Sequence, residues 1–281
     1  MARVDEAALP RSSAAEPEAE SRALNKLWWG IVSWLPVIVL IVAWELFSQS
    51  GLVTPFALPA FSSVVERIVS DGQSGELFTN VGLTLWRTLA GFAIASTIGV
   101  SLGLLIARYA AARWFFDPII SVGFPMPKIA FLPIIVLWLG FFDVSKITMV
   151  AFNTTFPIVT ATIVGIMGVE KELIWSARNL GTSDRRLMWD VLLPAAMPQI
   201  LTGLQVALPI ALIVCIITEM AMGGYGMGGA MQSASRFADS RGVFAGIVET
   251  TIVGYVMIKA MAMLRRRLLA WHQEALDPTT A

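Results

Sequence analysis

Long runs with few charged residues constrain this chain more than any other feature of its sequence. Six such runs carry at most two charges each, and they occupy 31–47, 88–107, 118–142, 147–169, 191–218 and 242–264. A helix needs about 20 mostly apolar residues to cross the hydrocarbon core of a bilayer. The pattern therefore predicts six membrane spans, of which the first is the shortest and contains Pro36.

The runs are continuously apolar, which favours helices over the alternating strands of a membrane barrel. Only 14% of the residues are charged, against about 25% in soluble domains. The predicted fold class is an all-α integral membrane protein with about six transmembrane helices. Pro118, Pro125, Pro127 and Pro133 predict that the third span is kinked or broken. The spacing of Gly99 and Gly103 would let another helix approach the second span closely.

Lysine and arginine are distributed unevenly between the segments that join the spans. Thirteen fall on the side of the N-terminus and five on the other side, which predicts that both termini are cytoplasmic. We expect a disordered leader over 1–27, a transmembrane domain over 28–265 and a cytoplasmic tail over 266–281. On the outer side, Ser63 and Glu66 have capping-box spacing and predict a short helix at the interface. A glycine-rich segment, residues 223–229, predicts a tight or flexible loop. We expect this loop to serve ordinary packing, and a gate or a contact for an external partner is the alternative.

The sequence excludes several kinds of chemistry. No lysine follows a glycine, so a P-loop for ATP is absent. The single histidine, His272, and the single cysteine, Cys215, provide neither a catalytic set nor a metal site. Zero net charge gives no indication of a nucleic-acid partner. We therefore expect no catalytic, cofactor-binding or metal-binding residues in this chain.

Polar residues inside the spans are candidates for a transport pathway. Lys128 could attract an anionic solute, or it could pair with an acid or with the carbonyls of a broken helix. Asn153 could line a polar path or hydrogen-bond between helices. Glu219 and Glu249 fit helix packing better than a proton relay, although a relay stays open. Arg87 is expected to anchor its span at the interface.

A polar segment between two spans, residues 170–194, is called the island here. Lys171–Leu180 predicts one helix with Gly181 as its C-terminal cap, and Thr182–Leu193 predicts a second helix before Pro194. Two short helices presented to the cytoplasm could dock in the cleft of a partner. They could equally form an amphipathic hairpin that lies on the membrane.

The island carries a recognisable spacing. Trp-Ser-Ala-x-x-x-Gly at 175–181, nine further residues and Val191-x-Leu193-Pro194 resemble the EAA-loop signature of bacterial ABC-importer permeases, Glu-Ala-Ala-x-x-x-Gly, nine residues, Ile-x-Leu-Pro. Trp175 replaces the usual glutamate and Ser176 the first alanine. The segments LPAFSSV at 58–64, TLWRTLAGF at 84–92 and PKIAFLPIIVLWLG at 127–140 are similar to the nitrate/sulfonate/taurine-type permeases.

The resemblance implies a type I importer permease in the bacterial inner membrane. It implies a homodimer that works with two cytoplasmic ATPase subunits, which bind ATP and Mg²⁺, and with a periplasmic solute-binding protein. The island would then be the coupling helix, and its ATPase-coupling residues would be Glu172, Trp175, Ser176, Ala177, Arg178, Gly181 and Asp184. Because Trp175 is uncharged, the usual acidic contact would become apolar or move to Glu172 or Asp184.

We expect the solute to be a small anion, such as a sulfonate, taurine or nitrate, that passes Lys128, Asn153 and Glu219. Related permeases carry neutral pyrimidine-type compounds, so an uncharged solute is an alternative. A secondary transporter driven by an ion gradient through Glu219 or Glu249 is a second alternative. A membrane scaffold without a pathway is a third.

Overall fold

The computed structural model describes Val32 and residues 34–271. Within this part every regular element is helical and no residue lies in a strand, which confirms the predicted fold class. The predicted leader, residues 1–27, lies outside the described residues, as does the tail beyond Trp271. The chain divides into two compact units, residues 1–63 and residues 64–281.

The described part of the first unit contains a short apolar helix, α1 (Trp34–Gln49). The carboxylate of Glu45 on α1 accepts hydrogen bonds from the backbone N–H of Ser62, at 3.1 Å, and from its hydroxyl, at 2.9 Å. Ser62 lies in the first turn of α2 (Phe61–Ser74), where backbone N–H groups have no partner within the helix. Glu45 therefore caps the start of α2.

The short helix predicted after the first span is confirmed, but its predicted capping box is wrong. Ser63 lies inside the first turn of α2, and its hydroxyl donates to the carbonyl oxygen of Ala60 at 2.7 Å. It therefore cannot cap the helix in the way that the sequence spacing suggested.

Four helices of the second unit are long and apolar enough to cross a membrane. They are α3 (Glu76–Arg108), α6 (Asp143–Met167), the long helix Asp184–Met222 and α11 (Ser240–Leu268). The long helix is continuous and consists of α8 (Asp184–Arg186), a π turn (Leu187–Leu192) and α9 (Leu193–Met222). A fifth candidate joins α4 (Ala110–Gly123) to the segment Lys128–Leu139, with a bend of 92° between them. Since α1 is shorter, the count of six spans stays a prediction.

The remaining helices are short. The segment Lys128–Leu139 consists of a 3₁₀ turn (Lys128–Phe131) followed by α5 (Leu132–Leu139), and α7 (Lys171–Asn179) lies between α6 and α8. Helix α10 (Met227–Arg236) precedes α11. Two ends of the unit are named by these elements: the island end carries α7, and the glycine end carries residues 223–229.

The bend after α4 follows from its prolines, as predicted. Pro125 and Pro127 lie in the break between Gly123 and Lys128. A proline supplies no backbone N–H and disfavours helical geometry in the residue before it. The two prolines therefore prevent α4 from continuing into the following helix.

Helices α3 and α6 touch along a stripe of small residues. A Cβ atom added at Gly91 would lie 2.6 Å from Cβ of Val150, and one added at Gly103 would lie 2.5 Å from Cβ of Thr162. Gly99 is similarly close to Ile158, at 2.8 Å. The close approach predicted from Gly99 and Gly103 is confirmed, and α6 is the helix that makes it.

Helix α9 is the centre of the second unit. Its apolar residues form one buried cluster with α11, in which Leu208, Leu212 and Ile216 pack near Met257 and Met261. A second cluster joins α9 to α6 and α5 through Ala211, Val214, Cys215, Met149, Val150 and Ile135. Cys215 is fully buried there, in agreement with its predicted role as a small core residue.

An ionic cluster ties the helices together at the glycine end. The guanidinium of Arg87 on α3 donates to the carboxylate of Glu219 on α9 at 2.5 Å and to that of Asp143 on α6 at 2.7 Å. Arg87 also donates to the carbonyl oxygen of Tyr225 at 2.7 Å. Lys146 on α6 is buried and donates to the carbonyl oxygen of Gly223 at 3.2 Å. One arginine thus joins three spans to the glycine-rich segment.

Glu219 is fully occupied by this cluster. Besides Arg87, its carboxylate accepts from the hydroxyl of Thr84 at 2.9 Å and from the N–H of Gly228 at 3.0 Å. Gly226 has φ of +124°, and a Cβ added there would lie 2.4 Å from Glu219 Oε1. The glycines therefore let the backbone close tightly over a buried charge, and the segment is packed instead of open.

One expectation is corrected here. Arg87 is not an interfacial anchor, because its side chain is 5% exposed and bound to two carboxylates. Glu219 has no exposed surface, and its place in a solute path stays a prediction. The sequence places each of these charges near the end of a run but does not show that the two charges meet.

The glycine stripe generates a stability prediction. Gly103→Ala should lower the free energy of unfolding by about 1–3 kcal/mol, because the new methyl group overlaps Thr162. Gly82→Ala is the matched control, since nothing lies within 4 Å of a Cβ added at that position of the same helix. Thermal unfolding in detergent measures both variants. Equal melting temperatures for Gly103→Ala and the control would contradict the close contact.

The ionic cluster generates a second stability prediction. Arg87→Met should cost about 3–5 kcal/mol, because it leaves Glu219 buried without its cation. Arg67→Met should cost at most about 1 kcal/mol, since Arg67 pairs with Asp71 and Asp239 in a partly exposed position. The double variant Arg87→Met/Glu219→Leu should recover part of the loss. Detergent unfolding that ranks the arginine variants in the opposite order would refute the assignment.

Candidate functional site

Helix α7 is the separate helix of the island, and Gly181 ends it. Gly181 has φ of +79°, a left-handed conformation that glycine adopts without strain. The N–H of Thr182 then reaches back to the carbonyl oxygen of Ala177 at 3.2 Å, and that of Gly181 reaches Arg178 at 2.9 Å. This pattern satisfies the last carbonyls of a helix. The predicted cap at Gly181 is confirmed.

The second predicted helix of the island is not a separate element. It begins at Asp184, with the Ser183 hydroxyl accepting from the N–H of Arg186, and it continues through Pro194 to Met222. The π turn Leu187–Leu192 lies just before Pro194, where its wider hydrogen-bond spacing accommodates a residue that has no N–H.

The length of this continuous helix matters for the island. Its 39 residues span about 58 Å at 1.5 Å per residue, against about 30 Å for the hydrocarbon core. About half of its length therefore exceeds the hydrocarbon core, and four of its five charged residues lie in its first turns, Asp184, Arg185, Arg186 and Asp190. One continuous helix connects the island to the centre of the second unit.

Most of the predicted coupling residues lie on the exposed surface of the island. Glu172, Trp175, Ser176, Arg178, Gly181 and Asp184 are exposed, whereas Ala177 is buried. The side chain of Ala177 therefore packs within the island, and its role in coupling stays a prediction. Arg178 and Asp184 lie 3.8 Å apart, so an exposed pair spans the turn at Gly181.

Large apolar side chains share this surface. Leu180 is 87% exposed, and Trp175 and Trp189 are each more than half exposed. The sequence analysis identified Trp175 as a contact residue but missed Leu180 and Trp189. Leu180 lies beside the turn at Gly181 and Trp189 lies in the first turns of the long helix, and these positions could have indicated that both are exposed. An apolar surface of this kind, surrounded by charges, is typical of a protein contact.

The island is also connected to the second span. Arg108, the last residue of α3, donates from its guanidinium to the carbonyl oxygen of Asp184 at 2.9 Å. The island therefore contacts the ends of two spanning helices, α3 and the long helix Asp184–Met222.

Lys128 lies in the break of the bent span. Its side chain is buried, and its ammonium group donates to the carbonyl oxygen of Phe124 at 3.0 Å. The same group lies 4.5 Å from the ring centre of Phe156 and 6.0 Å from that of Phe124. The sequence left open whether Lys128 attracts a solute, pairs with an acid or contacts the carbonyls of a broken helix. In the structure Lys128 contacts such a carbonyl and two aromatic rings, and no acid among the described residues pairs with it.

The other two predicted pathway residues are placed differently. The side-chain amide of Asn153 donates to the carbonyl oxygen of Met149 on its own helix at 2.9 Å. Asn153 is half-buried and lies one turn from Phe156 on α6, in the neighbourhood of Lys128. Glu219 belongs to the ionic cluster at the glycine end, so the structure does not bring the three residues to one site.

A cavity of about 210 Å³ at the glycine end was missed by sequence reasoning. Its charged lining consists of Arg67, Asp71, Glu76, Asp239 and Glu249. Burial lowers the pKa of Arg67, but the neighbouring carboxylates of Asp71 and Asp239 more than offset this, and the pKa is raised. The only sequence signal was the four-residue spacing of Arg67 and Asp71; Asp239 is distant in sequence.

Comparisons with solved structures agree with this architecture. The chain superimposes on a bacterial ABC transporter that imports the acidic polysaccharide alginate with a TM-score of 0.61 at 14% identity, covering 89% of this chain and 99% of that one. The MetNI methionine ABC transporter in an inward-facing conformation gives 0.55 at 16% identity, covering 68% and 98%. At these identities the likeness supports the fold.

Sequence comparisons give closer relatives. The putative aliphatic sulfonates transport permease SsuC of Bacillus subtilis is 30% identical over 94% of this chain and 95% of its own length. The taurine transport system permease TauC of Escherichia coli is 30% identical over 84% and 88%. The formylaminopyrimidine transport permease ThiX of Halalkalibacterium halodurans is 28% identical over 84% and 94%.

A family model for the inner membrane component of binding-protein-dependent transport systems matches residues 99–270. That range contains the bent span with Lys128, the island and the long helix that joins the island to Glu219. Together with full-length relatives that are permeases, the match shows that this chain belongs to the binding-protein-dependent transport family and is a permease subunit of an ABC transporter.

Proposed function

We propose that this permease imports a small organic anion of the sulfonate or taurine type, driven by ATP hydrolysis on a separate subunit. The exposed apolar surface of the island is the observation that supports coupling to a separate ATPase subunit. The names of two relatives, an aliphatic sulfonate permease and a taurine permease, support the solute. ATP and Mg²⁺ would be bound by the partner ATPase and not by this chain.

The island would dock on a cytoplasmic ATPase. Leu180 and Trp175 offer apolar contact area, and Arg178, Glu172 and Asp184 offer charges around it. With Trp175 in place of the usual glutamate, the contact at that position is apolar. The acidic contact would then come from Glu172, because Asp184 already faces Arg178.

Movement of the ATPase would reach the spans through covalent and hydrogen-bonded connections. The long helix Asp184–Met222 begins in the island, and Arg108 joins the island to α3. Because both helices are joined directly to the island, a displacement of the island would shift them together. In a homodimer, opposed shifts of the two copies would open a shared pathway to one side of the membrane and then to the other.

The remaining partners follow from the family and from charge. We infer that two copies of this chain form the pathway in the bacterial inner membrane and that a periplasmic binding protein delivers the solute. With both termini in the cytoplasm, the glycine end would face that binding protein. Arg67 already pairs with Asp71 and Asp239 in the cavity at that end, so Glu76 and Glu249 would be the acids left for a basic side chain of the binding protein. The relative ThiX supports a neutral pyrimidine-type solute as the second candidate.

The docking surface can be tested by co-purification of the ATPase. Leu180→Asp should reduce recovered ATPase roughly tenfold or more, because a buried leucine contact contributes about 1.5–3 kcal/mol. Phe237→Asp is the matched control, since Phe237 is exposed to the same extent at the glycine end, 85% against 87%. It should leave ATPase recovery unchanged.

A second variant tests the geometry of the island. Gly181→Pro should also weaken ATPase recovery, because proline fixes φ near −65° whereas this position has +79°. The protein should still insert in the membrane, as the turn lies outside the spans. If ATPase recovery survives Leu180→Asp, Trp175→Asp and Gly181→Pro alike, the island is not the docking site.

The energy source is tested by reconstitution. The permease, its ATPase and its binding protein in liposomes should take up taurine or an alkanesulfonate only when ATP is supplied to the ATPase, and a protonophore should not reduce the rate. Uptake by the permease alone that a protonophore abolishes would favour an ion-gradient transporter. ATP-driven uptake of a pyrimidine but of no anion would favour the second candidate.

A further inference from the structure

Lys128 lies beside the middle of a spanning helix. The ring beneath its ammonium group belongs to Phe156, which is the fourteenth of the 25 residues of the spanning helix α6. A cation at this depth is distant from both aqueous surfaces and is unfavourable unless other groups compensate its charge. Its side chain cannot reach water easily, as only 8% of its surface is exposed.

The compensation that the protein supplies is incomplete. An ammonium group has three donors, and Lys128 uses one of them, toward Phe124. Among the described residues no carboxylate lies within 4 Å of it, whereas the equally buried Arg87 has two. The aromatic rings stabilise a cation but accept no conventional hydrogen bond. Lys128 therefore retains the capacity to bind an anion.

The surrounding backbone is arranged so that this lysine can be buried. A Cβ atom added at Gly123 would lie 2.3 Å from the ring of Phe156, so a glycine is required for that ring to lie beneath the ammonium group. The bend of 92° at the prolines then directs the next turn, which carries Lys128, across the bundle. Broken helices near the middle of the membrane are typical of solute sites in transporters.

Aromatic side chains extend from this cation. Phe131 lies edge-on to Phe152 with 5.7 Å between ring centres, and Phe152 lies edge-on to Phe156 with 5.9 Å. The three rings are partly buried and form an apolar wall on one side of Lys128. A ligand held there would meet one positive charge and an adjoining apolar surface.

We propose that Lys128 and the rings of Phe156, Phe152 and Phe131 form a solute subsite for an organic monoanion, with its charged group at the Lys128 ammonium and its carbon part against the rings. The subsite rests on the proposed function, since it requires that the solute crosses this chain. The subsite favours alkanesulfonates over sulfate or nitrate, because an inorganic ion has no carbon part that could pack against the aromatic rings.

The test compares variants of the complete reconstituted importer. Lys128→Met should lower kcat/KM for butanesulfonate by about tenfold or more, because it removes the only charge at the subsite. Lys128→Arg should retain most of the uptake. Lys259→Met is the matched control: Lys259 also lies over a ring, that of Tyr255 at 5.6 Å, but it is exposed, and its loss should leave uptake unchanged.

Three further readouts separate a solute subsite from a structural role. Lys128→Met should melt at the same temperature as the wild type or higher, because a buried cation without a carboxylate does not stabilise the fold. ATPase co-purification should also be unchanged. Phe156→Leu should reduce the preference for butanesulfonate over nitrate. A lower melting temperature together with unchanged uptake in Lys128→Met would overturn the proposal.

The outcomes also distinguish this proposal from the proposed function. ATP-driven uptake of sulfonates that is equal in wild type and Lys128→Met refutes the subsite and leaves the importer intact. Uptake of a neutral pyrimidine alone refutes the anion subsite and leaves ATP-driven import intact. Absence of ATP-driven uptake by the wild type refutes both.

Discussion

Hydrocarbon offers no hydrogen-bond partner to a charge, and this constraint governs how the buried cations of the chain are arranged. Arg87 satisfies it inside the protein, because Glu219, Asp143 and the carbonyl oxygen of Tyr225 surround its guanidinium. Lys128 satisfies it only in part, with one carbonyl oxygen and aromatic faces. The first arrangement fixes the ends of three helices, and the second leaves the ammonium group of Lys128 with donors that a ligand could use.

The two ends of the second unit differ for a related reason. At the glycine end, residues without side chains let the backbone close over a buried carboxylate, so that end is held by internal bonds. At the island end, apolar side chains such as Leu180 remain exposed and have no internal surface to cover them. The ionic cluster therefore holds the glycine end together, and the island end presents an apolar surface that suits a partner. The long helix Asp184–Met222 connects them.

The close contact between α3 and α6 gives the bundle its rigidity. Three glycines on α3 let the two backbones approach to a distance that side chains would prevent. Without water between helices, such packing is the main force that associates them. In the proposed mechanism, contact of this kind would carry a displacement of α3 to α6.

Particular elements show how far the sequence could be interpreted by itself. The long apolar runs predicted spanning helices, and four such helices are present among the described residues, because the length of a run can be compared directly with the thickness of a bilayer. The prolines predicted the break before Lys128. Gly181 determined the end of α7, because a left-handed cap is a local property. The Glu-Ala-Ala-type spacing, although altered at Trp175, was enough to predict the family that full-length relatives show.

Only the tertiary structure decided what the charges do. Arg87, Asp143 and Glu219 are far apart in sequence, and nothing local indicates that they meet. The structure likewise decided that Ala177 packs inward and that the second half of the island continues a span. Local conformation depends on neighbouring residues and is readable from them. The partner of a buried charge depends on which helices pack together, and that follows from contacts spread along the whole chain.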